Sequence, residues 1–181
     1  MKRPIITRRS WGRVRLFAMD VDGVLTDGTL IVCSDGTEAK RFSIIDGLGL
    51  KRLHGIGLEL AWISGRASGA TTRRATELKI PHVIQGRRDK LAALSALAAG
   101  LGIPLGDCAY MGDDYIDAPA IAAAGIGITV PTGLPQALAA ADYVTRRPAG
   151  LGAVREVCDL LAEAKAPAAG NLQRGSRTLS P

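Results

Sequence analysis

Asp20 and Asp22 stand two residues apart in the stretch Asp20-Val21-Asp22-Gly23-Val24-Leu25-Thr26-Asp27-Gly28, directly after the apolar run Leu16-Phe17-Ala18-Met19. The run predicts a buried strand, and Gly23 marks where it must end. Two carboxylates at such a place need a cation or a charge partner, because uncompensated burial is costly or forces a raised pKa. The plainer reading is a turn whose aspartates only cap backbone amides. Further polar groups follow later apolar runs: Ser64-Gly65-Arg66, Lys90, and Gly112-Asp113-Asp114 with Asp117 one turn on. Each alone has an ordinary explanation. A serine satisfies a turn, an arginine or lysine is solvated, and acids at a helix start are favoured by its dipole. Together, a hydroxyl, an ammonium and a cation held by Asp113 and its neighbours form a pocket for a dianionic phosphoryl group. Hard oxygen ligands suit Mg²⁺, and Gly23 would let backbone amides approach phosphate oxygens.

The elements that must position these groups are readable from apolar patterning. Strands are expected at residues 15–21, 58–64, 81–85, 108–111, 126–130 and 143–145. Between them lie helices at about 46–54, 66–78, 88–101, 114–124, 135–141 and 152–163. Asp46 would be the N-cap of the first of these helices. Two extended runs, Thr29–Cys33 and Glu38–Ser43, flank an Asp35-Gly36 turn, so a β-hairpin is inserted before that helix and can stand over the strand end as a flap. Alternating strands and helices imply a doubly wound α/β fold with a mainly parallel sheet, which binds ligands at the carboxyl ends of its strands.

Composition narrows the function further. The chain has 181 residues, 47% hydrophobic and only 4% aromatic, which suits one domain with an aliphatic core and no base-stacking surface. The net charge of +6 resides in residues 1–15, which carry six basic residues and no acid; the rest holds 17 of each sign. This predicts a flexible basic tail over residues 1–13, a domain over 14–164 and a second flexible tail over 165–181, with no basic face for nucleic acid. Three scattered cysteines, Cys33, Cys108 and Cys158, point to reduced thiols in a cytoplasm. No apolar run is long enough to span a membrane and no secretory signal precedes the domain. The Arg-rich start is shorter than an organelle transit peptide.

Four short motifs in this order and at these fold positions resemble the haloacid dehalogenase superfamily of phosphatases. From about residue 14 to 163 the chain is similar to its 3-deoxy-D-manno-octulosonate 8-phosphate (KDO 8-phosphate) phosphatases. The supporting residues are Asp20–Gly28, the hairpin, Asp46-Gly47, Gln85-Gly86, Gly112–Asp117, and the stretches 141–145 and 152–160. The resemblance implies that Asp20 is the nucleophile and Asp22 the acid and base. It implies Mg²⁺ held by the Asp20 carboxylate, the Asp22 carbonyl and Asp113, with Ser64 and Lys90 on the phosphoryl group. Asp117 would orient Lys90 or a metal-bound water, with Asp114 supporting. Substrate contacts would come from Gly23, Asp46, Gly65, Arg66 and Arg74. It further implies a capless homotetramer whose neighbouring subunits complete the mouth of the site, acting in lipopolysaccharide precursor synthesis. Three departures bear on sugar specificity: Ser64 replaces a common threonine, Gly69 a possible substrate lysine, and Ala149-Gly150-Leu151-Gly152 a glycine pair with an arginine.

Competing readings are a phosphatase of another sugar-acid phosphate such as a nonulosonate 9-phosphate, a phospho-accepting receiver domain, and an inactive binding protein. In receiver domains the acceptor aspartate ends the third strand; here that position is Gln85-Gly86. The full set of acids with Lys90 argues against inactivity.

Overall fold

Every residue of β1 (Leu16–Met19) is buried, as expected for a central strand covered on both faces. The computed structural model describes residues 6–166. Around β1 lie β4 (Glu59–Ile63), β5 (His82–Ile84), β6 (Cys108–Met111), β7 (Ile126–Thr129) and β8 (Tyr143–Val144), in the order β5-β4-β1-β6-β7-β8. All pairings in this sheet are parallel. The chain leaves β1 toward β4 on one side and later returns to β6 on the other. The carboxyl end of β1 is therefore the topological switch point, where such sheets open a crevice. Met19 is in register with both Trp62 and Met111, which sets Asp20 level with the ends of β4 and β6.

Alternation along β1 feeds two cores. Phe17 and Met19 pack with Leu60, Trp62, Ala109 and Met111 beneath α2 (Ile44–Gly55) and α7 (Ala153–Lys165). Leu16 and Ala18 pack with Ala61, Ile63 and Tyr110 against α4 (Lys90–Gly100), α5 (Ala118–Ala123) and α6 (Pro135–Ala140). Helix α3 (Gly69–Leu78) completes the α2 side. The expected hairpin is present but short, β2 (Ile31–Val32) paired antiparallel with β3 (Glu38–Ala39).

Three expectations need correction. Residues 8–13 are not a free tail: α1 (Arg8–Arg13) has a Thr7–Ser10 capping box and packs on α7. Its Trp11 is buried and meets Tyr143 edge-on at 5.6 Å, so one large apolar residue outweighs the flanking charge. Residues 1–5, and the C-terminal tail from 167, lie outside the described residues; α7 itself runs through Lys165. Asp46 does not cap α2, because Ser43 does. Finally, α5 starts at Ala118, since residues 114–117 form a turn closed by Asp117 N–H donating to the Asp114 carbonyl.

Candidate active site

Asp20 follows β1 and Lys90 opens α4, yet 70 positions apart they meet: Lys90 Nζ lies 2.6 Å from Asp20 Oδ1. It also donates to the Ile63 carbonyl at 2.5 Å and stands 3.7 Å from Asp117 Oδ1. The lysine is wholly buried, against the ordinary expectation of a solvated side chain at a helix start. A buried ammonium requires partners of this kind. Asp117 is equally buried; it accepts from the Tyr110 hydroxyl at 2.8 Å and from the amides of Asp113 and Asp114. Its carboxylate thus fixes the loop after β6 as well as facing Lys90.

Asp113 completes the cluster. Carboxylate oxygens of Asp20, Asp113 and Asp117 lie within 4.8 Å of one another. Two glycines make this approach possible. A Cβ on Gly23, whose φ is +86°, would sit 2.0 Å from Asp113 Oδ2, and one on Gly112 would sit 2.3 Å from the Asp117 Cβ. The room that Gly23 provides is thus taken by Asp113. The Gly23 amide itself donates to Thr26 Oγ1 at 3.3 Å.

Asp113 Oδ1 is buried without a hydrogen-bond partner among the described residues. Burial, then the charges of Asp20, Asp117 and Asp114, push the Asp113 carboxyl up to about 8. Burial and the Asp117 charge push Asp20 up to about 6 despite Lys90. An orphaned hard oxygen beside two crowded carboxylates fits a small divalent cation, and Mg²⁺ matches that donor set.

This has a measurable consequence. Both folded pKa values exceed the unfolded value of about 3.9. The folded metal-free chain therefore binds more protons than the unfolded one, and its stability falls as pH rises between about 4 and about 8. Its melting temperature should drop across that window, and Mg²⁺ should raise it more at pH ~8.5 than at pH ~5.5. At about 100 times Kd the cation adds ~2.7 kcal/mol, or about 5–10 °C for a chain of this size. Thermal melts with and without chelator check this; metal-free stability rising with pH would contradict it.

Asp20, Asp22, Ser64, Gly65, Arg66 and Asp114 line one cleft of about 290 Å³ at the end of β1. Ser64 is buried, and its hydroxyl donates to the Arg66 carbonyl at 2.8 Å. Arg66 is exposed and ion-paired with Glu38 of the hairpin. Two expected substrate residues lie elsewhere. The Asp46 carboxylate is buried and accepts from the amides of Gly152 and Arg155 at the start of α7. It therefore joins α2 to α7. Arg74 is held by Glu77 and the Ser43 carbonyl, against Gly47. Asp46 is claimed by the first turn of α7, and Arg74 by a neighbour on its own helix and the carbonyl that starts α2.

Sequence reasoning missed four residues. Lys40 straddles the Asp22 carboxylate. Tyr110 anchors Asp117, and a tyrosine in a core strand needs a partner for its hydroxyl, which was the available signal. Arg88 and Tyr115 line the cleft and bond to each other at 3.2 Å. Nothing local distinguishes Arg88 from Arg87. Of the specificity departures, Gly69 faces open space, so packing does not require a glycine there.

A nucleophile-sized carboxylate beside a buried lysine, with a second carboxylate over the same cleft, can accept and release a phosphoryl group. Comparison with known proteins agrees. Residues 61–157 match the haloacid dehalogenase-like hydrolase family. The KDO 8-phosphate phosphatase of Escherichia coli strain K12 is 43% identical over 148 residues, covering 82% of this chain and 79% of that protein. A crystal structure of the Moraxella catarrhalis phosphatase with magnesium, phosphate and KDO is 51% identical, with TM-score 0.86, covering 87% of this chain and 91% of that one. The cobalt-bound Haemophilus influenzae phosphatase is 35% identical with TM-score 0.82, covering 86% and 91%. This chain belongs to the haloacid dehalogenase-like hydrolases, within the family of 3-deoxy-D-manno-octulosonate 8-phosphate phosphatases.

Proposed function

We propose that the chain is a Mg²⁺-dependent phosphomonoesterase that acts on KDO 8-phosphate. The observation that carries this is the Asp20–Lys90–Asp117–Asp113 cluster at the switch point of the sheet. It stands in a chain half identical to a phosphatase that binds magnesium, phosphate and KDO.

Asp20 Oδ attacks phosphorus, forming an O–P bond as the bond from phosphorus to the sugar oxygen breaks. Asp22 donates its proton to that departing oxygen. In the second half, the Asp22 carboxylate takes a proton from water, whose oxygen attacks the aspartyl phosphate; inorganic phosphate leaves and Asp20 returns to a carboxylate. Lys90, which contacts Asp20, and Ser64, which lines the cleft, are the groups we assign to the phosphoryl oxygens. Asp20, Asp113 and the Asp22 carbonyl would hold Mg²⁺, which neutralises phosphate charge when bound. Asp117 positions Lys90, and Asp114 supports the loop.

The substrate's carboxylate needs a cation at the mouth of the cleft. Arg66 is compensated by Glu38, whereas among the described residues Arg88 contacts only the neutral Tyr115 hydroxyl. Arg88 is therefore better placed than Arg66 or Arg74 to pair with it. A fork of this type favours the sugar acid over a neutral sugar phosphate. Arg88→Gln is expected to raise KM for KDO 8-phosphate about 10- to 100-fold, the ~1.5–3 kcal/mol of a charged hydrogen bond, and to leave KM for a neutral sugar phosphate nearly unchanged. Phosphate release from both substrates, with and without chelator, tests the whole reading. Absence of turnover, or turnover indifferent to chelation, would defeat it.

No helix among the described residues is long and apolar enough to cross a membrane. A cytoplasmic place in lipopolysaccharide precursor synthesis fits the substrate. Assembly into a homotetramer is supported by Ile31 and Val32, which the hairpin leaves 58% and 67% exposed.

A further inference from the structure

We propose that Lys40 is the positioning residue through which the hairpin holds Asp22 in its working orientation; this rests on the role just given to Asp22. The Lys40 side chain is fully buried, while that of Asp22 is one-third exposed to the cleft. Lys40 Nζ lies 2.6 Å from Asp22 Oδ1, 2.9 Å from Oδ2 and 3.3 Å from the Thr71 hydroxyl. An ammonium has three donors. Its hydrogen bonds go to Asp22 Oδ2 and Thr71, Oδ1 stands in ion-pair contact, and the buried side chain does not line the cleft. Lys40 therefore acts through Asp22 and does not bind substrate directly.

The hairpin is built to deliver this lysine. Contacts alternate along the returning segment with the period of an extended chain. The Glu38 carboxylate accepts from Ser68 Oγ at 2.6 Å and pairs with Arg66. Lys40 reaches Asp22, and Phe42 stacks on Trp62 at 6.2 Å. Arg41, between them, turns outward and pairs with Asp27. Three alternate side chains thus clamp the hairpin to the domain on both sides of Lys40.

Chemically, the pair fixes the Asp22 carboxyl in one orientation over the cleft, where it gives its proton to the departing sugar oxygen. Its rotation is blocked by the ion pair at Oδ1 and the hydrogen bond at Oδ2. The same carboxylate is then aligned to take the proton of the attacking water. A phenolate leaving group departs without a proton, so its ester depends little on this first role.

The test compares Lys40→Met, Lys40→Arg, Asp22→Asn and the Lys40→Met/Asp22→Asn double variant in the full chain with Mg²⁺. The substrates are KDO 8-phosphate and p-nitrophenyl phosphate, and kcat/KM reports the steps through aspartyl-phosphate formation. Asp22→Asn should lose about 10²- to 10⁴-fold on the sugar phosphate, as for an acid–base residue. Lys40→Met should lose about 10- to 100-fold there, mostly in kcat, and at least about tenfold less on the aryl ester. Lys40→Arg should recover part of the loss. The double variant should be no slower than Asp22→Asn alone, because residues that act as a unit are non-additive. Turnover of the aryl ester also reports that each variant is folded. Equal losses on both esters, or additive losses in the double variant, would overturn the proposal. An Asp22→Asn enzyme as fast as wild type on the sugar phosphate would instead overturn the role of Asp22 itself.

Discussion

Asp20→Asn is expected to abolish phosphate release, by ~10⁴-fold or more, the scale seen when a nucleophile is removed. A neutral amide oxygen cannot form a stable bond to phosphorus, and the same substitution removes a carboxylate from the cation site. The loss should be chemical and not structural. Lys90 keeps the Ile63 carbonyl at 2.5 Å and Asp117 at 3.7 Å, so its charge remains partnered. Burial and Asp117 already disfavour the ionised form of Asp20, so a neutral residue at this position relieves repulsion in the metal-free protein. Steady-state phosphate release and a thermal melt check both halves. Activity within tenfold of wild type would remove Asp20 from the reaction, and a collapsed melt would show that the pair with Lys90 is structurally required.

Lys90→Met should damage both activity and fold. Methionine matches the length of the buried stem but leaves Asp20, Asp117 and Asp113 crowded without their ammonium. Breaking a buried pair by removing one partner costs about 3–5 kcal/mol. For a chain of this size that is a fall of ~6–20 °C in melting temperature. Mg²⁺ should restore more stability to the variant than to the wild type, because the unbalanced acids bind a cation more strongly. Activity should stay at least ~10²-fold down even so, as when one preorganised donor to a developing charge is lost. Calorimetry with and without Mg²⁺, beside the phosphate assay, makes the comparison. A variant that melts like wild type without metal would mean that protonated carboxyls, and not Lys90, balance the cluster.

Much of this architecture is visible in one dimension. Strand β1 is four apolar residues followed by acids; the same device recurs at β6, and at β4 the apolar run ends in Ser64-Gly65-Arg66. Burial on both faces and the break at the strand end are local demands. The helices were legible for the same reason, with errors at their starts. Ser43 rather than Asp46 caps α2, and four residues before Ala118 turn instead of coiling. At the basic N-terminus charge suggests a solvated tail, while the burial of Trp11 decides the structure. One buried indole against α7 is enough to order that helix.

From the sequence alone one could determine which residues end up at the carboxyl edge of the sheet: Asp20, Ser64, Lys90, Asp113 and Asp117. Their side chains follow directly from strand ends and helix starts. Only the tertiary structure decided what each meets. Asp46 turned to the amides of α7, Arg74 to the Ser43 carbonyl, Arg66 to Glu38, and Lys40 crossed from the hairpin to Asp22. The reason is reach. A long polar side chain takes whichever partner the fold brings within hydrogen-bond distance, and pairs separated by 18 to 109 positions are set by how the elements pack.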